Sequence, residues 1–412
     1  MMLGYHPTYS FKIIIEMSDD RSIHSAVANL YNTYPFPPEP LLDEPPPGYN
    51  WRWSWIAAYD FCTGRKPPQQ EIRILDAGCG TGVGTEYLVH LNPEASVVGI
   101  DISESAIEVA KERCQRSGAN RVQFQQMNLE NAHQLDGQFQ MINCVGVLHH
   151  LPDPTAGIKA LAEKLTPGGI MHIFVYGELG RWEVRLMQNA ISLLQPENYQ
   201  EGVKIGRKLF ETLPQENRIV KREKERWALD NQRDACFADM YVHPQEIDYN
   251  INTLFDLVTA SGLEFVGFSN PKFWQIERLL GNAPEILAKT NQLSPRDRYR
   301  LIELLDPEVT HYEFFLAKPP LPQFNWSKDT DFLNAIPERH PCLEGWESQT
   351  LFNPDYELVT LSENSFKLLQ AIDQNVEKQL SLAEMIKQTT ATLEDARSLH
   401  QQKLITLIPN PK

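Results

Sequence analysis

The stretch ILDAGCGTGVG, residues 74–84, sets Asp76, Gly78, Gly80, Gly82 and Gly84 at alternate positions at the end of a short apolar run. Glycines at this spacing permit the positive φ angles of a tight strand-to-helix turn and let a ligand approach the backbone closely. The dinucleotide fingerprint G-x-G-x-x-G fits neither register, because Val83 or Thr85 falls where the third glycine belongs. No lysine follows that would make it a phosphate-cradling P-loop. The loop predicts a ligand without a pyrophosphate.

A second acid, Asp101, ends the next apolar run in VVGIDIS, about twenty residues past the loop, where a carboxylate accepts hydrogen bonds from both ribose hydroxyls of a nucleoside. Around this pair, apolar runs at 72–77, 96–102, 121–127, 139–145 and 169–176 alternate with amphipathic segments, and further runs follow at 264–268 and 311–317. That alternation predicts an α/β fold with a Rossmann-like doubly wound sheet. Ser105 and Glu108 read as a capping box for a helix carrying Ile107, Ala110 and Cys114 and closed by Gly118. Ile158, Leu161 and Leu165 repeat in the same way before the Pro167-Gly168-Gly169 turn.

The alternation breaks over 177–243, where Val184, Met187, Ile191 and Leu194 share a helical face and predict an inserted helical lid. Pro244 reads as the start of the helix that carries Ile251, Leu254, Phe255 and Val258. The expected organisation is an N-terminal extension and cap over 1–69, a core over 70–319, a linker over 320–349, and a small winged-helix-like domain over 350–412. Ser362, and Ser381 with Glu384, are the capping signals of that last unit. Met17 followed by SDDRS reads as a natural start, with residues 1–16 an upstream extension.

The 412 residues carry a formal net charge of -16, which argues against a nucleic-acid surface, because that affinity rests on clustered Lys and Arg. The basic run 221–226 alternates with glutamates and reads as a solvated helix face. Six scattered cysteines form no C-x-x-C pair and no metal-ligand spacing, so they read as reduced thiols of a cytoplasmic protein without a metal site. The apolar run 11–17 is too short for a membrane span.

LDAGCGTG with Asp101 resembles the class I S-adenosylmethionine-dependent methyltransferases, strongly over 70–176 and more loosely to 318. The resemblance implies S-adenosyl-L-methionine as cofactor. Its contacts would come from Asp76, Gly78, Cys79, Gly80 and Gly82 in the first motif, from Asp101 and Ile102, and from Asn128 and Leu129. Asn128 stands where the family usually presents an aspartate to the adenine amino group, and its side-chain oxygen keeps the acceptor role. Cys144 and Val145, at the end of FQMINCV, would line the sulfonium, and the LHHLPDP that follows resembles the small-molecule branch of the family. The C-terminal unit is similar to the small domain of some bacterial methyltransferases that act on protein lysines.

His149 and His150 read either as a general base for an acceptor that must lose a proton or as a structural turn. His243 reads either as a contact at the start of the following helix or as a cleft-facing group, and Asn353-Pro354-Asp355-Tyr356 only superficially resembles the NPPY motif of amide-methylating enzymes. In the family, residues ahead of the first strand often fold over the cofactor. YNTYPFPPEP, residues 31–40, would then place Tyr31 and Tyr34 near the sulfur cation, with GYNWRWSW docking the cover onto the core. The alternative is an aromatic strap packed for stability.

The function expected is methyl transfer to an O or N nucleophile of a small molecule. Two alternatives remain, a lysine-type amine of a protein as acceptor, or a non-catalytic S-adenosylmethionine-binding regulator. The remaining expectations are no membrane partner and a homodimer as the candidate assembly.

Overall fold

In the computed structural model, which describes residues 20–68 and 71–410, the strands read around the glycine loop join one sheet. They are β1 (Ile72–Ala77), β2 (Ala95–Asp101), β3 (Val122–Gln126), β4 (Phe139–Val145), β5 (Leu165–Tyr176), β6 (Glu264–Phe268) and β7 (His311–Ala317), in the order β3-β2-β1-β4-β5-β7-β6. β1 to β5 pair in parallel, and β7 lies antiparallel between β5 and β6. Sheets covered on both faces need apolar residues at successive positions. Ile74, Leu75 and Ala77 of β1 and Met141, Ile142 and Cys144 of β4 are accordingly all buried. The strand order reverses between β1 and β4, so a crevice opens beyond their carboxyl ends.

Helices α1 (Asp20–Thr33) and α2 (Trp55–Thr63) precede the sheet; α3 (Val83–Leu91), α4 (Glu104–Arg116) and α5 (Pro154–Lys164) connect its strands. The insertion after β5 supplies α6 (Trp182–Leu193), α7 (Tyr199–Thr212), α8 (Arg218–Arg226) and α9 (Asp234–Tyr241). Val184, Met187 and Ile191 of α6 form one apolar cluster with Phe237 and Tyr241 of α9 and with Leu30 of α1. The N-terminal helix and the inserted helices thus share a core. Leu194, read onto the same face of α6, sits past its end and is 55% exposed.

α10 (Ile251–Ser261) begins seven residues after Pro244. Asn250 caps it, accepting from the Asn252 and Thr253 amides. The segment before it is drawn out because its amides bond elsewhere: Ile247 N–H to the His149 carbonyl and Tyr249 N–H to the Tyr176 carbonyl. Likewise the cap of α4 is Ser103, whose hydroxyl accepts from Ala106 N–H, so the Ser105 box is displaced by two residues. Ser103 is set there by Asp101, whose Oδ1 accepts its amide at 2.8 Å.

α11 (Glu277–Leu280), α12 (Pro284–Thr290) and α13 (Pro295–Leu305) lead into β7. Within the segment read as a linker lie α14 (Asp329–Asn334) and β8 (Ile336–Arg339). β8 hides in the sequence because Pro337 interrupts a four-residue run; it is a strand only through antiparallel pairing with β11 (Ile405–Ile408). Between them come the hairpin β9 (Thr350–Phe352) and β10 (Leu358–Thr360), then α15 (Glu363–Gln374), α16 (Leu382–Gln388) and α17 (Leu393–Gln401). Ser362 caps α15, and Ser381 with Glu384 forms a capping box on α16. This unit has its own apolar cluster, including Phe332, Leu368, Leu399 and Leu407. It docks through Lys66 N–H on the Leu407 carbonyl and through Tyr356, stacked on Tyr49 with centroids 4.5 Å apart. The reading of residues 1–16 lies outside the described residues. Among those described, no helix is long and apolar enough to cross a membrane.

Candidate active site

The glycine loop holds the left-handed turn its composition calls for. A Cβ at Gly78 (φ +81°) would stand 2.2 Å from Val147 Cγ2, and one at Gly80 (φ +50°) 2.4 Å from the Phe36 carbonyl oxygen. That second contact exists because the proline-rich strap lies directly on the loop. Thr81 N–H donates to the Phe36 carbonyl at 3.0 Å and its hydroxyl to the Pro37 carbonyl at 2.6 Å. Buried Arg113 of α4 clamps the next turn, donating to the carbonyls of Thr81, Glu39 and Pro40 at 2.7–2.9 Å. Its charge faces buried Glu86 at 3.7 Å.

Beneath the strap is a cavity of about 300 Å³, at the lower end of the range of small-molecule sites. The loop contributes Asp76, Gly78, Cys79 and Gly80 to its lining; the end of β2 contributes Asp101 and Ile102. The exit of β3 adds Asn128 and Leu129, that of β4 adds Val145 and His150, and α1 adds Tyr31. Gly82, Cys144, Tyr34, His149 and His243 do not line it. Gly82 caps α3 and packs on Ala110. Cys144 is buried in the sheet core, and Tyr34 packs with the inserted helices instead.

Asp101 is fixed from two sides. Oδ2 accepts from Gly80 N–H and Oδ1 from Ser103 N–H, both at 2.8 Å. A carboxylate offers about four acceptor positions, so two remain for a pair of hydroxyls. Burial raises its pKa, opposed by the bonds from Ser103, Gly80 and Ile102. Asn128 Oδ1 accepts from Glu130 N–H at 3.1 Å, capping a short 3-10 turn, and keeps its second lone pair. The acceptors therefore fit the ribose hydroxyls and the adenine amino group of S-adenosylmethionine, with Phe36, Pro37 and Trp53 as apolar walls.

The lid side of the cavity is polar and buried. Tyr31 donates its hydroxyl to Asp239 Oδ1 at 2.8 Å, and the Tyr176 hydroxyl reaches Oδ2 at 3.5 Å. Burial pushes the Asp239 carboxyl up, with His150 and the Tyr31 bond pulling the other way. His150 Nδ1 lies 2.9 Å from the Gln245 carbonyl; donation there leaves the lone pair on Nε2. Burial also holds His150 below its ordinary value, which keeps the ring neutral. His243 stacks on it at 3.7 Å and accepts Gln245 N–H at Nδ1, which places its proton on Nε2, an atom without a protein partner. His149 lies 4.0 Å from Tyr176 and 4.1 Å from His150, with both ring nitrogens unpaired. Arg181 covers Tyr176 at 3.6 Å and is held by Glu246 at 3.0 Å.

Sequence reasoning missed Asp239, Tyr176, Trp53, Arg113 and Asn143. Only Asp239 carries a sequence signal: a single acid inside the apolar run CFADMYV. Tyr176, Trp53 and Asn143 depend on which elements reach the cavity, and Arg113 on which helix face meets the strap.

Comparison with known proteins agrees with this fold. The family described as "Methyltransferase domain" matches residues 74–169. PKMT2 from Rickettsia typhi, in complex with AdoHcy, superimposes with a TM-score of 0.60 at 16% identity, over 88% of this chain and 77% of that one. The fold and the cofactor site define a class I S-adenosylmethionine-dependent methyltransferase. Within that class the chain belongs to the family of an uncharacterized protein of Synechococcus sp., to which it is 55% identical over 97% of this chain and 96% of the other. It is also 76% identical to an uncharacterized phycocyanin operon protein W of Pseudanabaena tenuis, over 24% of this chain and 94% of that protein.

Proposed function

We propose that the enzyme methylates an oxygen or nitrogen nucleophile of a small molecule held against Tyr31, His150 and Asp239. The observation that carries this is the buried polar wall on the lid side of the cavity, closed over by α1 and the inserted helices. S-adenosylmethionine supplies the electrophilic methyl group. The chain aligns the acceptor and gives its proton a destination. Neutral His150, with Nε2 free, and Asp239, oriented by Tyr31, are the two groups able to take it. Trp53 and the strap exclude water from the opposite side.

A side-chain nitrogen of a protein is the second reading, favoured by the relative from a phycocyanin operon and by the fold shared with PKMT2 along most of the chain. Incubation with methyl-labelled cofactor and a cyanobacterial extract separates the two. Label in the small-molecule fraction supports the first, label in a protein band the second, and label in neither overturns both.

A further inference from the structure

A line of buried polar groups runs across the sheet from the cavity and ends at Glu313 and Arg52. Asp76 of β1 accepts from Thr85 Oγ1 at 2.6 Å on Oδ2 and from Asn143 Nδ2 at 2.8 Å on Oδ1. Asn143 of β4 is its register partner, and His172 of β5 is the register partner of Asn143. His172 Nδ1 lies 2.9 Å from Asn143 Oδ1, and Nε2 lies 3.1 Å from Glu313 Oε1 of β7. Glu313 is completed by the Ser269 hydroxyl at 2.6 Å and by an ion pair with Arg52 at 2.7 Å. Asp76, Asn143 and His172 are each 0–3% exposed.

The direction of each bond follows from its neighbour. The Asp76 carboxylate only accepts, so Asn143 turns its NH2 toward it and its oxygen toward His172. His172 must then donate from Nδ1. Glu313 receives donors from Ser269 and Arg52, so it too accepts, and His172 donates from Nε2 as well. The line thus joins the carboxylates of Asp76 and Glu313 through the Asn143 amide and the His172 ring.

We infer that Asn143, His172 and Glu313 are positioning residues for the cofactor site, holding Asp76 as an oriented acceptor in the cavity, with Glu313 and Arg52 anchoring the other end of the line. The inference rests on the cavity being the cofactor site. Burial raises the Asp76 carboxyl to about 6, opposed by Thr85 and Asn143, which puts its titration within reach of ordinary buffers. The other ionisable groups facing it are Asp101 of β2 and the thiols of Cys79, Cys114 and Cys144. Those facing the far end are Arg52 and His311. None of these supplies a cation next to Asp76. His172 is the ring wired to it through Asn143.

The test is calorimetric affinity for S-adenosylhomocysteine from pH 5 to 8.5, so that no turnover is needed. Wild-type affinity falls as pH drops through the Asp76 titration. In Glu313→Gln the carboxylate that anchors the His172 ring at Nε2 is lost, and the midpoint of that fall shifts from the wild-type value by about half a pH unit or more. Glu313→Asp retains the wild-type midpoint. If Glu313→Gln does not fold, Arg52→Gln acts on the same carboxylate and shifts the midpoint by less. A midpoint identical to wild type in the folded variant overturns the inference while leaving the cofactor site intact. Absence of binding to the wild type overturns the site assignment and the inference with it.

Discussion

The hydroxyl of Tyr31 donates to Oδ1 of Asp239 at 2.8 Å, tying the last turn of α1 to helix α9 of the insertion. One bond thus closes the roof of the cavity and orients a carboxylate in its wall. Tyr31→Phe removes the donor while keeping the ring. Turnover falls about tenfold, near 1.4 kcal/mol of barrier, with cofactor affinity unchanged. Tyr34→Phe leaves both unchanged, because Tyr34 packs with the inserted helices. Steady-state kinetics beside calorimetry check the pair.

Asp101→Ala deletes the acceptor of the Gly80 and Ser103 amides together with the free lone pairs offered to the ligand. Affinity for S-adenosylhomocysteine falls by about a hundredfold or more, because hydrogen bonds to a charged group are each worth about 1.5–3 kcal/mol. Calorimetry at pH 7.5 reads the loss directly.

Gly80→Ala meets both a positive φ and a carbonyl oxygen 2.4 Å from the new Cβ. The strap must lift or the loop must shift, at a cost of about 1–3 kcal/mol. A lowered melting temperature accompanied by weaker cofactor binding is expected. Equal binding with only the thermal loss would show that the strap is not part of the site.

Arg113→Met frees the carbonyls of Glu39 and Pro40 and leaves Glu86 buried without its partner. Breaking a buried pair from one side costs about 3–5 kcal/mol. Limited proteolysis should cut between residues 38 and 47 in the variant and spare the wild type.

His340, buried beside Lys403, has its pKa pushed down to about 3, first by burial and then by that charge. Below about 6.5 the unfolded chain takes up a proton at this ring and the folded chain does not, so stability falls with pH until the folded ring titrates near 3. Between pH 7 and pH 5 this one ring removes about 2 kcal/mol. Urea titrations at the two pH values should show His340→Gln losing less stability than the wild type by that amount.

The sheet and the ligand loop were legible because both rest on local rules. Apolar runs of strand length, glycines at alternate positions and an acid at a strand end are dictated by backbone sterics and by what a buried strand can carry. Those rules name Gly78, Gly80 and Asp101 without reference to anything distant. The roof was not legible in the same way. Pro244 carries a helix-start signal, yet its segment is drawn out by bonds to the ends of β4 and β5; β8 is a strand only beside β11. Whether Tyr31 or Tyr34 reaches the cavity depends on how α1 and the residue after its end pack against the inserted helices. Asp239, Arg113 and the line from Asp76 to Glu313 join residues up to 237 positions apart in the chain. Sequence alone determined the class of ligand the loop accepts, because a backbone turn is a local object. Tertiary structure decided which side chains face that ligand, because burial and hydrogen-bond pairing belong to elements meeting in space.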